Sequence, residues 1–126
     1  MIFLETSFFI GLFVEKDRYH KKTLEIIENI EDNQVIISEM VIYETLTVLR
    51  KKNQNNEKVA EVYNKLAEMN VYEDVIYYEQ ALENTLINNI GFFDNLIYSV
   101  MLNNDIEEIA SFDSDFDIFD DIKRIH

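Results

Sequence analysis

Apolar residues fall along this chain in two rhythms. Short unbroken runs, bounded by polar residues, suit strands buried on both faces, and longer stretches repeat their apolar positions every three or four residues, as helices do. The strand-like runs are 1–5, 34–37, 71–77 and 106–112, with a short edge strand at 124–126. Between them the pattern predicts six helices. The first is the apolar FFIGLFV, entered through Thr6 or Ser7 as N-cap. The second spans 18–30, with Leu24, Ile27 and Ile30 on one face. The third runs from a Ser38 cap to residue 52 and ends on Arg50, Lys51 and Lys52, where cations suit the helix dipole. After the polar loop KKNQNN, a fourth carries Val59, Val62, Tyr63, Leu66 and Met69. The last two, 79–90 and 93–103, flank Gly91, read as a helix stop.

Strands alternating with helices imply a mostly parallel sheet of four to five strands covered on both faces, a three-layer α/β/α sandwich. The chain has 126 residues and no linker or repeat, so 1–126 is expected to form one domain. In open sheets of this kind, sites form beyond the carboxyl ends of the strands.

Composition narrows the chemistry. Hydrophobic residues make up 48% of the chain, with seven Tyr and nine Phe, which is ample for a packed core. Phe8, Phe9, Phe13, Phe92 and Phe93 are read as core rather than base-stacking residues. Tyr63, Tyr77, Tyr78 and Tyr98 are read as buried rings with hydroxyls reaching polar partners. With no Cys and two His, a thiolate or ordinary zinc site is excluded; His20 and His126 are expected to be exposed. No apolar run reaches the roughly 18 residues of a membrane span, so the expectation is a cytoplasmic protein without membrane contact. The net charge of −14 excludes a broad basic face for nucleic acid. Positive charge is clustered in Lys16, Arg18, Lys21 and Lys22, and again in Arg50, Lys51 and Lys52, groups that could rim a cleft or sit solvated.

Four acids occupy costly positions. Glu5 ends the first strand and Asp113 ends the fourth, so both should emerge on the same rim of the sheet. Glu44 shares a helix stripe with Val41 and Val48, and Asp94 shares one with Ile97, Tyr98 and Met101. Singly, each has an ordinary explanation: a capping acid, an outward-facing residue, an acid favoured by the helix dipole, a solvated loop aspartate. Together, carboxylates sharing a partly buried pocket raise one another's pKa and call for a compensating charge. A hard divalent cation that takes oxygen ligands, Mg²⁺ or Mn²⁺, one ion or two, answers that need and can activate water against a phosphodiester.

The segments IFLETSFFIGLF, SEMVIYETLTVLR, FFDNLIYSVM and IASFDSDFD, in this order and spacing, resemble the PIN-domain family of metal-dependent ribonucleases, above all the small VapC-like toxins of toxin–antitoxin pairs. The resemblance spans nearly the whole chain. It implies catalytic and metal-binding roles for Glu5, Glu44, Asp94 and Asp113, a further acidic ligand at Asp115, and supporting hydroxyls at Thr6 or Ser7 and at Ser111. It also implies cleavage of RNA by metal-activated water without a covalent intermediate, inhibition by a cognate antitoxin, and homodimerisation. The chain departs from the family at its first acid, which is normally Asp and here is Glu5. The extra methylene moves the carboxylate by about 1.5 Å, a shift to which positioned catalysis is sensitive. The alternative reading is therefore a weak or inactive PIN fold that binds RNA or protein. A phosphoacceptor receiver domain is a poorer rival, since only Lys123 offers its late-strand lysine.

Overall fold

A computed structural model describes residues 1–31 and 34–126. Five parallel strands, β1 (Ile2–Leu4), β2 (Val35–Ser38), β3 (Val71–Tyr72), β4 (Glu108–Ala110) and β5 (Lys123–Ile125), form one sheet in the order β3-β2-β1-β4-β5. Phe3 is in register with Ile36 on one side and Ile109 on the other. All three are fully buried, as are Ile37 and Ala110, which is why these runs read as continuously apolar.

The helices are α1 (Thr6–Phe13), α2 (His20–Ile27), α3 (Glu39–Lys51), α4 (Asn56–Ala67), α5 (Tyr78–Ile87) and α6 (Phe92–Asn103). The steps β1 to β2 and β2 to β3 move across the sheet in one direction. Right-handed crossovers therefore place α1 to α4 on one face, in agreement with the packing of α1 on α2 and α3, and of α3 on α4. The step from β3 to β4 returns past β1, so α5 and α6, packed on each other, cover the opposite face. The direction of winding reverses between β1 and β4. That is the point where a crevice opens at the carboxyl ends of the strands.

The α/β/α architecture agrees with the pattern, and several details differ. The run 71–77 is a strand only at Val71–Tyr72, after which Val75–Tyr77 forms a 3₁₀ turn leading into α5. The fourth strand is shorter than its apolar run, at Glu108–Ala110. In α2 the inward positions are Thr23 and Ile26, leaving Leu24 exposed. Tyr63 of α4 is likewise exposed, while Val62 and Leu66 face the core. His20 is half-buried, its Nδ1 2.7 Å from the Gly11 carbonyl oxygen. With two glycines in the chain, the ends of α3 and α6 use Asn53 (φ 60°) and Asp105 (φ 56°) in the left-handed region.

Candidate metal centre

The side chains at the crevice are placed by short-range devices. Glu5, immediately after β1, is itself the N-cap of α1, in place of the Thr6 or Ser7 expected from sequence. Its Oε2 accepts hydrogen bonds from the Ser7 amide at 3.0 Å, from the Ser7 hydroxyl, and from Ser111 Oγ at 2.7 Å. Ser7 Oγ in turn accepts the Phe112 N–H at 2.9 Å, and Ser111 Oγ accepts the Asp113 N–H at 3.0 Å. The two serines thus tie the end of β1 to the turn after β4. Thr6 is buried with no hydrogen-bond partner for its hydroxyl among the described residues, so Ser7 is the hydroxyl that meets Glu5.

Asp113 lies past the end of β4 and caps the 3₁₀ turn Ser114–Ile118, its Oδ1 accepting the Asp115 N–H at 2.9 Å. Asp94 sits in the first turn of α6, whose N-cap is Gly91, so that glycine starts a helix rather than ending one. The turn before it is held by Asn95, fully buried, whose amide nitrogen lies 3.1 Å from the Gly91 carbonyl oxygen and 3.0 Å from Asn88 Oδ1. Asn88 returns a bond to Asn95 Oδ1 at 2.7 Å. Glu44 projects half-buried from α3. Ser38 is the N-cap of that helix but makes no capping bond; the buried Asp74 caps it across the fold, accepting the Met40 N–H at 2.8 Å.

These elements bring Glu5, Glu44, Asp94 and Asp113 to one depression of about 400 Å³, lined also by Gly91, Phe92 and Phe93. Within it the acids are not equivalent. One carboxylate oxygen from each of Asp94, Asp113 and Asp115 lies within 4.8 Å of the other two. Glu5 and Glu44 border the same space outside this tight group.

The electrostatics are those of uncompensated negative charge. Burial, and then the charges of Asp113, Glu5, Asp115 and Glu44, push Asp94 up to about 7. Glu5 is also raised, by burial above all and against the lowering effect of its serine hydrogen bonds. Among the described residues the ion pairs join Lys22 to Glu25, Lys65 to Glu61 and Arg124 to Asp117, and none reaches the five acids. An oxygen-only donor set carrying excess negative charge fits a hard divalent cation and fits a softer metal poorly.

The basic groups noted in the sequence meet elsewhere. Lys16 and Lys52, with Lys58, line a separate depression of about 650 Å³ that shares no residue with the acidic one. Two participants were not legible from sequence. Arg124 on β5 reaches back to clamp Asp117, at the far end of the acidic turn, and its Nη1 donates to the Ser111 carbonyl at 3.3 Å. Phe93, expected in the core, is 44% exposed at the edge of the acidic depression. No periodicity rule separates it from its buried neighbours.

Comparisons with known proteins agree with this fold. Among solved structures the chain is similar to the Mycobacterium tuberculosis toxin VapC20, described as cleaving the sarcin–ricin loop, with 26% identity, TM-score 0.83 and 94% of each chain covered. It is similar in fold to a toxin–antitoxin complex from Klebsiella pneumoniae, at 15% identity and TM-score 0.75, covering 98% of this chain and 96% of that one. A further fold match is VapBC2 from Rickettsia felis bound to a promoter DNA fragment, at 16% identity and TM-score 0.68, covering 99% and 98%. Curated protein sequences give no match. The PIN domain family matches residues 2–122, the stretch that holds both strand ends, α3, α6 and the acidic turn, and the chain belongs to that family.

Proposed function

We propose that the chain is a Mg²⁺- or Mn²⁺-dependent endoribonuclease that hydrolyses RNA phosphodiesters, acting as the toxin of a toxin–antitoxin pair. The observation that carries this reading is the convergence of Asp94, Asp113 and Asp115 oxygens within 4.8 Å, at a depression bordered by Glu5 and Glu44, in a PIN domain. Asp94, Asp113 and Asp115 would hold one or two ions. A cation bound there supplies Lewis acidity and a water of lowered pKa, positioned against the phosphorus. The three aspartates set its place, and their own position is set by the Ser111 bond to the Asp113 amide and by the Asn95-held turn before α6. Glu44 and Glu5 would complete the acidic rim around the ion, Glu5 through Oε1, since its three serine bonds all fall on Oε2.

A second reading has a specific observation in its favour. Glu5 commits Oε2 to three serine hydrogen bonds and stands outside the aspartate group, so the longer acid would act as a structural tie in a weak nuclease or a binding module. Cleavage of total RNA by wild type and Glu5→Asp, in Mg²⁺, in Mn²⁺ and in chelator, separates the two. Metal-dependent cutting by wild type supports the nuclease. Cutting by Glu5→Asp alone supports the weakened enzyme, and intact RNA with both overturns the nuclease reading.

The fold matches to a toxin–antitoxin complex and to VapBC2 support a cognate antitoxin as protein partner, and a homodimer is the proposed working form. No helix among the described residues is long and apolar enough to cross a membrane, and the cytoplasm is the proposed compartment. Co-purification with the product of a neighbouring reading frame, and the mass of the free protein in solution, test these points.

A further inference from the structure

Two phenylalanines of this chain escape the core. Every other phenylalanine belongs to the buried cluster or packs against it; Phe92 and Phe93 do neither. Both instead line the acidic depression. Phe92 is half-buried and anchored edge-on to Tyr78 of α5, with ring centroids 5.9 Å apart at 72°. Phe93 leans edge-on against Phe92, at 6.0 Å and 63°, and is 44% exposed. A large apolar ring that stays 44% exposed beside a cluster of carboxylates is only partly used in packing, and the helix dipole favours polar or acidic residues in a first turn. It precedes Asp94 directly, on a turn that the buried Asn95 holds rigid. On the same wall the depression is left without a side chain: a Cβ built at Gly91 would meet no atom within 4 Å, and Gly91 has φ −70°, so no backbone strain explains its glycine.

The geometry points to Phe93 as a stacking platform for one unpaired nucleobase of the RNA, next to the phosphate presented to Asp94 and Asp113, with Gly91 leaving room for the strand. Recognition of single-stranded RNA relies on splayed bases stacked on aromatic side chains. A chain with a net charge of −14 has few cations to spend on backbone phosphates, which raises the share of binding that stacking must carry. The inference rests on the ribonuclease reading and names the subsite by which that enzyme would select unpaired RNA.

The test is equilibrium binding of a fluorescein-labelled single-stranded RNA of mixed sequence, and of the same RNA carrying single abasic positions, in Mg²⁺. The Asp94→Asn protein, which would not cut the probe, is compared with Asp94→Asn/Phe93→Ala and Asp94→Asn/Phe93→Trp. Removing the ring should weaken binding about 5- to 100-fold, and tryptophan should restore it. One abasic position should cost Asp94→Asn a similar factor and cost the Phe93→Ala double variant almost nothing. Unchanged affinity on losing the ring, or equal abasic penalties in both proteins, overturns the platform. A change of oligomeric mass in Phe93→Ala with RNA affinity unchanged also overturns it, by assigning the ring to a protein contact. Wild-type cleavage of the probe, run alongside, keeps the readings apart: cutting with no Phe93 effect sinks the platform alone, whereas neither cutting nor binding sinks the ribonuclease with it.

Discussion

Arg124 grips Asp117 with one edge of its guanidinium, Nε to Oδ1 at 2.8 Å and Nη2 to Oδ2 at 3.0 Å, while Nη1 reaches the Ser111 carbonyl. The clamp therefore spans the turn that displays Asp113 and Asp115 and closes it at both ends. Its arginine is nearly buried, 11% exposed, and its aspartate is not, at 56%. Exposed ion pairs add little stability, but a planar bidentate pair fixes geometry. Arg124→Gln should weaken Mn²⁺ binding by roughly tenfold, with a small change in melting temperature, because partners behind metal ligands typically carry 10- to 100-fold of affinity. Asp117→Asn should match it, and the double variant should be no worse than either. Calorimetric Mn²⁺ titration checks this, and additive losses would show that the two residues act separately.

The metal-free protein should be least stable where its acids are most charged. Asp94 stands near 7 in the fold against an ordinary 3.8, and Glu5 is raised as well. Between these limits the folded state keeps protons that the unfolded chain has released. The contribution is therefore full below about pH 4 and is lost as pH rises through 7. In chelator, the melting temperature should fall between pH 5 and pH 8. Asp94→Asn should flatten that slope, and saturating Mn²⁺ should remove most of it. A chelated wild type whose melting temperature rises over this range would contradict the assignment.

Close approach explains one glycine and not the other. A Cβ at Gly11 would fall on Thr23 Oγ1, which is already bound to the Tyr19 carbonyl at 2.9 Å, and would lie 3.5 Å from the Phe112 ring. Gly11→Ala should destabilise the fold by about 1–3 kcal/mol through overpacking of α1 on α2. Gly91→Ala, facing open space, should cost less than about 1 kcal/mol, from the weaker helix cap. Urea unfolding of the two variants makes the comparison.

Asn95 carries a buried cluster that sequence patterning does not mark. Removing its amide in Asn95→Ala leaves Asn88 Nδ2 without its acceptor, while the Gly91 carbonyl keeps the Asn95 backbone N–H at 3.2 Å, at a cost of about 1–3 kcal/mol. Hydrogen exchange should quicken at residues 88–91 before it does elsewhere. Uniform protection would show that the turn holds itself.

The sheet and the meeting of acids were legible because both follow from chain-local signals. Apolar runs buried on two faces mark strands, and an acid that ends such a run or breaks a helix stripe marks the crevice. What the pattern could not supply was rank among the acids. Glu5 and Asp113 both follow strands, yet the side chain of Glu5 turns toward Ser7 and Ser111 while that of Asp113 joins Asp94, a choice made by hydrogen bonds between segments more than 100 positions apart. Arg124 was equally hidden, being one basic residue near a C-terminus until β5 pairs with β4 and aims it at the acidic turn. Phe93 differs from Phe92 and Phe9 only in what packs over it, which no local window contains. The strand at 71–77 failed for the opposite reason: apolar residues continue after Tyr72, but Val75 and Ile76 lie on the surface of a 3₁₀ turn.

Asp94, Asp113 and Asp115 together are proposed to hold a divalent cation. Titration of Mn²⁺ into wild type, Asp94→Asn and Asp113→Asn at pH 7.5, followed by calorimetry and by the spin-resonance signal of free Mn²⁺, tests it without reference to any substrate. Wild type should bind Mn²⁺ saturably, and each variant at least tenfold more weakly. Wild type that binds no Mn²⁺, or variants that bind it as tightly as wild type, would contradict it.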